Sequence, residues 1–329
     1  MRVLICPDKY RGTATAREAA DALAAGARDV GWSVTTLPLA DGGEGTLDVL
    51  GGATTSTTVT GPLGEPVDAA WRLVGGVAVI EMAQASGLVL AGGAAGNDPL
   101  AATTRGTGAL IAAALDAGAT TVVVGVGGSA TTDGGLGAVE VLAPYAPLDG
   151  TRGHLVVVAC DVTTRFVEAA AVFAPQKGAD AEQVLALTRR LESLADEYSV
   201  FGIDIRDRVH SGAAGGLAGG LAALGALLQP GFDLVASSVG LREAMASADH
   251  VITGEGRLDS QSLEGKVVGG VMALAGELGV ACTVVAGDVA HDVPRDGARF
   301  VSLVSEYGHD RAVADTAATL TRAARDVLA

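Results

Sequence analysis

Three times along this chain an apolar, strand-like run stops abruptly at a loop of glycines and acids, and this repeat restricts the fold more than any other feature. The loops are Asp41-Gly42-Gly43-Glu44-Gly45-Thr46, Gly125-Val126-Gly127-Gly128-Ser129-Ala130-Thr131-Thr132-Asp133-Gly134-Gly135 and Gly254-Glu255-Gly256-Arg257-Leu258-Asp259. Glycine admits positive φ and a close backbone approach, and its N–H groups can cradle phosphate oxygens. The acids can hold a hard cation such as Mg²⁺ or take a proton. One such loop is an ordinary turn. Three, each at a strand end, point to a site assembled at the edge of a parallel sheet.

The 329 residues are length enough for a large core and for two domains. With 49% hydrophobic but only 3% aromatic residues, that core must be aliphatic and alanine-rich. A net charge of −16 argues against nucleic acid or an anionic membrane as partner. An anionic ligand would then need a metal or local cations drawn from the 22 Lys and Arg. Cys6, Cys160 and Cys282 lack metal-type spacing and sit in or beside apolar runs, so they read as small core residues. The sequence opens straight into strand-like Arg2-Val3-Leu4-Ile5-Cys6 with no signal-peptide pattern, and a cytoplasmic location is expected. Residues 211–232 carry no charge and are long enough to span a bilayer. Glycine and alanine dominate them and Pro230 interrupts, so a fully buried helix is expected instead.

The N-terminal unit reads β-α-β: strand 3–6, helix 15–30 with Ala19, Ala20, Leu23 and Ala27 on one face, and strand 33–39. Thr13 or Thr15 is placed to cap that helix, and 46–50 forms a short one. Residues 54–60 alternate and are β-branched, Gly61-Pro62-Leu63-Gly64 is a turn, and strands 67–74 and 77–82 complete an antiparallel meander. Helix 107–118, strands 121–124 and 155–160 and helix 181–195 follow. Alternation then returns with strand 251–253, helix 267–278, strands 283–286 and 300–304, and helix 312–328. The pattern predicts an α/β fold of two domains. A discontinuous Rossmann-like parallel-sheet domain spans 1–51 plus 246–329, and a mixed α/β domain is inserted at 52–245.

Pro7-Asp8-Lys9-Tyr10-Arg11-Gly12-Thr13 places an acid, two cations and a hydroxyl before a helix N-terminus, which favours anions. No Walker A and no Gly-x-Gly-x-x-Gly opens a helix there. Gly127, Gly128, Gly134 and Gly135 frame Ser129, Thr131, Thr132 and Asp133, the densest set of backbone and hydroxyl donors in the chain. Pro175-Gln176-Lys177-Gly178 offers a lysine on a flexible turn, and His210-Ser211-Gly212-Ala213-Ala214-Gly215-Gly216 fits either close helix packing or ligand contact. Glu255, Arg257, Asp259 and Lys266 cluster around glycines in a metal-plus-phosphate constellation. His154, His210, His250, His291 and His309 form neither an i,i+4 metal pair nor a Ser/His/Asp order.

In this order the motifs resemble the type I glycerate kinase family. The likeness runs through Pro7 to Thr13, Ala40-Asp41-Gly42-Gly43-Glu44-Gly45-Thr46, Glu81 to Leu88, Thr103-Thr104-Arg105-Gly106, Gly127 to Thr131, and Asp133-Gly134-Gly135. It continues through Pro175-Gln176-Lys177-Gly178-Ala179, Gly212 to Gly216 and Gly254-Glu255-Gly256-Arg257. The resemblance implies ATP- and Mg²⁺-dependent phosphorylation of D-glycerate, usually at the 2-hydroxyl, in a two-domain α/β enzyme. The chain departs from the family pattern at Arg11 (lysine), at Thr132 (asparagine) and at Thr163-Thr164-Arg165, where Asn-Pro-Leu is usual. Arg11 keeps the charge but changes its geometry.

On this basis Asp8, Arg11, Asp41, Lys177 and Asp133 are expected to be catalytic. Gly42, Gly43, Glu44, Gly127, Gly128, Ser129, Thr131, Gly134, Arg257, Asp259 and Lys266 are expected to bind substrate or nucleotide. Mg²⁺ is expected on Asp41, Asp133 or Glu255, and Asp8 or Asp41 would accept the hydroxyl proton. The alternatives are a kinase for another small hydroxy acid, and a binding or regulatory homologue without turnover.

Overall fold

Thr15 sets the start of the first helix. Its hydroxyl accepts from the Glu18 amide at 3.2 Å while the Glu18 carboxylate returns to the Thr15 amide at 2.8 Å. In the computed structural model of the chain this capping box opens the Ala16–Asp29 helix. The structure describes residues 1–263, 265–294 and 297–329. They form two compact units, Met1–Asp41 with Phe232–Ala329, and Gly42–Gly231. The chain changes unit after Asp41 and after Gly231, where the sequence had pointed to positions near 51 and 245.

In chain order the strands are β1 (Arg2–Ile5), β2 (Ser33–Thr36), β3 (Thr55–Thr60), β4 (Pro66–Val74), β5 (Val77–Glu81), β6 (Thr121–Gly125) and β7 (Leu155–Cys160). They continue as β8 (Leu227–Pro230), β9 (His250–Thr253), β10 (Arg257–Leu258), β11 (Ala281–Ala286), β12 (Asp288–Val289) and β13 (Arg299–Ser302). The first unit holds a five-stranded sheet in the order β13-β11-β9-β1-β2 with every neighbour parallel. Parallel pairing forces each connection out of the sheet and over its face. One such cover is the Ala16–Asp29 helix, whose Ala19, Ala20, Leu23 and Ala27 are buried. It meets the Thr316–Leu328 helix so closely that a Cβ on Gly26 would lie 2.0 Å from the Thr321 carbonyl oxygen.

The second unit holds a six-stranded sheet in the order β3-β4-β5-β6-β7-β8. β3 to β5 are antiparallel, as the meander predicts, and β5 to β8 are parallel. The cores are aliphatic, with Ile5, Leu23 and Ile252 in the first unit and Ile80, Val124, Val158 and Leu221 in the second. The three cysteines are free and buried. The fold is thus the two-unit α/β arrangement expected.

Residues 211–232 depart from expectation. They are not one helix but a 3-10 turn at Ala213–Gly216, a short helix at Leu217–Ala223, the strand β8 and the start of the Gly231–Ser238 helix. Gly225, at φ +101°, turns the chain out of the helix, and Pro230 closes an edge strand where no ladder N–H is needed. The expected helix 312–328 is likewise divided at Asp315, whose carboxylate caps Thr316–Leu328. No described helix is long and apolar enough to cross a membrane.

Candidate active site

In the first unit the exits of β1, β9 and β11 are tied together. The Asp8 amide donates to the Gly254 carbonyl at 2.9 Å, and the buried Tyr10 hydroxyl donates to the Val285 carbonyl at 2.5 Å. The packing leaves no room for a side chain at 254, where a Cβ would lie 1.7 Å from the Val285 oxygen and 2.5 Å from the Tyr10 hydroxyl. These exits line a cavity of about 540 Å³, a volume in the range of small-molecule sites. Asp8, Lys9, Arg11, Asp41, Glu255 and Arg257 contribute to its wall, with Asp259, Ser262 and Lys266. The loop after β1, Asp41 and the loop after β9 therefore meet at the carboxyl end of a parallel sheet.

The cavity is acidic and only partly neutralised. The Lys9 ammonium lies 3.6 Å from the Asp8 carboxylate and 3.9 Å from that of Asp41. Burial pushes the Asp8 carboxyl up to about 6, against the pull of Lys9 and with a contribution from Asp41. Burial also pushes Glu255 up to about 7, while Ser262 and Lys266 draw it down and Asp8 draws it up. One buried oxygen of Glu255, Oε1, has no hydrogen-bond partner. Lys266 is the N-cap residue of the Val267–Leu278 helix and its side chain makes no capping hydrogen bond. Its ammonium and the helix N-terminus therefore both bring positive charge to this end of the cavity. Asp259 instead binds the Ser262 amide and hydroxyl, at 3.0 Å and 3.2 Å, and so shapes the Ser260–Leu263 turn.

The glycine loop of the second unit is organised differently. Lys177, 3% exposed, donates to Ser129 Oγ at 2.8 Å and to the Thr131 carbonyl at 2.7 Å. Its burial draws the ammonium down to about 7, and the nearby Asp133 pulls the other way. Asp133 is itself surrounded by donors, accepting from the Thr104 amide and hydroxyl at 2.8 Å each, from the Gly135 amide at 3.0 Å and from the Gly137 amide at 3.3 Å. This carboxylate joins two helix starts, and nothing in its surroundings supports the expected metal-holding role. Burial raises its pKa in spite of those donors.

Several expected ligand glycines are packing sites in the same unit. A Cβ on Gly127 would meet Gly43 Cα at 2.5 Å, one on Gly42 would meet the Ala159 carbonyl oxygen at 2.7 Å, and one on Gly134 would meet Leu194 at 2.7 Å. Gly128, at φ +71°, lies 3.4 Å from Ala83 by the same measure. Glu44 is exposed and does not line the cavity, and Thr131 is wholly buried.

The structure therefore gathers Asp8, Arg11, Asp41, Glu255, Arg257, Asp259 and Lys266 in the first unit, and Ser129, Thr131, Asp133 and Lys177 in the second. Sequence reasoning counted Lys9 only as one of two cations in its loop, although it pairs with both acids, and passed over Tyr10, whose place before Arg11 looks like part of a polar loop. It also gave no role to Asn97, which clamps the Ala130 and Lys177 carbonyls at 3.0 Å and 2.9 Å. Asn-Asp-Pro ahead of Leu100 reads only as a turn.

The model of the glycerate kinase family matches residues 3–150 and 145–329. Glycerate 2-kinase of Escherichia coli K12 is 38% identical over 333 residues, covering 89% of this chain and 87% of that protein. Glycerate kinase of Bacillus subtilis 168 is 40% identical, covering 89% and 86%. A crystal structure of a protein provisionally named glycerate kinase 2, from Salmonella typhimurium LT2, superposes with a TM-score of 0.82 at 36% identity, covering 100% of this chain and 97% of that one. Matched over nearly its whole length, the chain belongs to the glycerate kinase family of phosphotransferases.

Proposed function

We propose that the protein transfers the γ-phosphoryl group of ATP to the 2-hydroxyl of D-glycerate, giving 2-phosphoglycerate. The observation that carries this is the convergence of Asp8, Asp41 and Glu255 with Arg11, Arg257 and Lys266 around one cavity. The name of the Escherichia coli relative favours the 2-position. Phosphoryl transfer asks a protein mainly for positioning and charge stabilisation, and both substrates are anions. In a chain of net charge −16, the cations must be local.

Lys266 and the adjoining helix N-terminus take the phosphates, and Arg11 and Arg257 take the glycerate carboxylate, where a planar guanidinium suits a bidentate partner. Asp8 accepts the hydroxyl proton, with Lys9 holding its carboxylate and that of Asp41 in place. In the second unit, Lys177, fixed by Ser129 and Thr131, is the further catalytic residue of this reading.

Magnesium fits the donor set of the cavity. Its oxygens are hard, and the partnerless Glu255 Oε1 lacks what a cation would provide. Asp41 and Glu255 would hold it. Among the described residues no three His, Cys, Asp or Glu side chains are grouped to bind a metal. Bound there, magnesium would neutralise charge on the phosphates.

A coupled ADP-release assay with D-glycerate and ATP, with and without Mg²⁺, tests the function, and phosphorus NMR of the product tests the position. Mg²⁺-dependent ADP release with 2-phosphoglycerate formed is expected. Release only with a different hydroxy acid, or a 3-phosphorylated product, would overturn it.

A further inference from the structure

The cavity has a second chemical face that a small hydroxy acid cannot use. Beyond the carboxylates and cations it is lined by Val304, Ala312, Val313 and Thr316 of the C-terminal helices, with the His309 imidazole among them. The Thr316 hydroxyl donates to the Ala312 carbonyl at 2.8 Å, so its proton is already used within the helices. Val313 stands 49% exposed although it is aliphatic. The wall adjoins the phosphate end directly. The Gly287 amide donates to the Glu255 carbonyl at 3.0 Å, and the Val304 amide donates to the Gly287 carbonyl at 2.9 Å. Asp288 also lines the cavity, one carboxylate oxygen binding the Val289 amide at 2.9 Å. A carboxylate there repels a phosphate or a carboxylate and suits neutral hydroxyl or amine donors.

Of the two reactants, only the nucleotide has an apolar flat part and a neutral sugar bearing hydroxyls. With the kinase function proposed above as premise, we infer that the Val304–Val313 wall seats the nucleobase of the phosphoryl donor, with Asp288 facing its ribose. Glycerate, being small and polar throughout, then lies at the opposite end near Asp8. The first unit carries the nucleotide's base, sugar and phosphates in one cavity.

The test is ADP binding by titration calorimetry on the full-length protein, alongside steady-state kinetics, for wild type and Val313→Asp. Val313 is half exposed, so the fold tolerates the change, and thermal unfolding checks this. The expected result is at least tenfold weaker ADP binding and a KM for ATP at least tenfold higher, with the KM for D-glycerate unchanged. Should Val313→Asp unfold, the isosteric Val313→Thr replaces it, with at least a threefold rise in the KM for ATP expected. An unchanged ATP KM, or a rise confined to the glycerate KM, overturns the assignment even if glycerate is turned over normally. A wild type that binds ADP, loses it on Val313→Asp and ignores glycerate refutes the proposed acceptor while the nucleobase seat stands. A wild type that binds no ADP overturns the seat.

Discussion

The two glycine-and-acid regions look alike as text and differ as chemistry. Both carboxylate oxygens of Asp133 are used, by two donors of Thr104 and two backbone amides, and the flanking glycines are pressed against neighbouring atoms. Around Glu255 the glycines also pack tightly, but a buried carboxylate oxygen is left without a partner beside a cavity of about 540 Å³. Glycine therefore marks close packing in both units. What separates a ligand site from a structural joint is whether the acid beside it is already satisfied.

The sharpest way to break this contrast is Lys177→Met. Lys177 is the one catalytic residue proposed in the second unit, and loss of such a group costs about 10²–10³ in kcat. Steady-state ADP release with thermal unfolding measures both effects, and a kcat within threefold of wild type would remove Lys177 from the mechanism. Folding favours its neutral form, so between pH 7 and 10 the unfolded chain binds more protons and stability rises with pH. The wild type should gain stability relative to Lys177→Met across that window.

Asp133→Asn comes next. Each buried donor left unpaired costs about 1–3 kcal/mol, so chemical denaturation should find a marked loss of stability. Mg²⁺ dependence of the residual activity should be unchanged. A stable variant with an altered Mg²⁺ requirement would return Asp133 to the metal site.

Glu255→Gln gives a smaller, pH-dependent effect. The Glu255 pKa is raised by folding, so the native state binds more protons than the unfolded chain between pH 4.5 and 7. Its contribution to stability is present below that window and is lost as pH rises through it. In ligand-free protein the melting temperature should fall less steeply across this range in Glu255→Gln than in wild type, and equal slopes would contradict the shift.

The smallest effect is expected at Thr132, a fully buried residue whose hydroxyl has no partner. Thr132→Val replaces an unsatisfied hydroxyl by a methyl of similar shape and should be neutral or stabilising by about 1 kcal/mol. A loss of that size in denaturant unfolding would mean the hydroxyl has a partner.

Much of the fold was legible because its signals are local. Of Thr13 and Thr15, the two candidate caps, Thr15 caps the first helix, and β7 and the Val267–Leu278 helix fall on their expected limits. Residues 211–232 failed because glycine and alanine carry no face for a period to mark, and the breaks depend on positive φ at Gly216 and Gly225. Lys9 and Tyr10 gain meaning only once β1, β9 and β11 lie side by side, since their partners Asp41 and Val285 are distant in sequence. The division of roles between Asp133 and Glu255 was illegible for the same reason. The Thr104 donors that satisfy Asp133 lie 29 residues away, and nothing in the loop itself announces them.

The central claim, that the reacting carboxylates are those of the first unit's cavity, rests most directly on Asp41→Asn. ADP release with D-glycerate, ATP and Mg²⁺ should be measured beside thermal unfolding of the same preparation. The account predicts a kcat lower by about 10²–10⁴ with the unfolding temperature little changed. Turnover within a few-fold of wild type in a folded Asp41→Asn protein would contradict it.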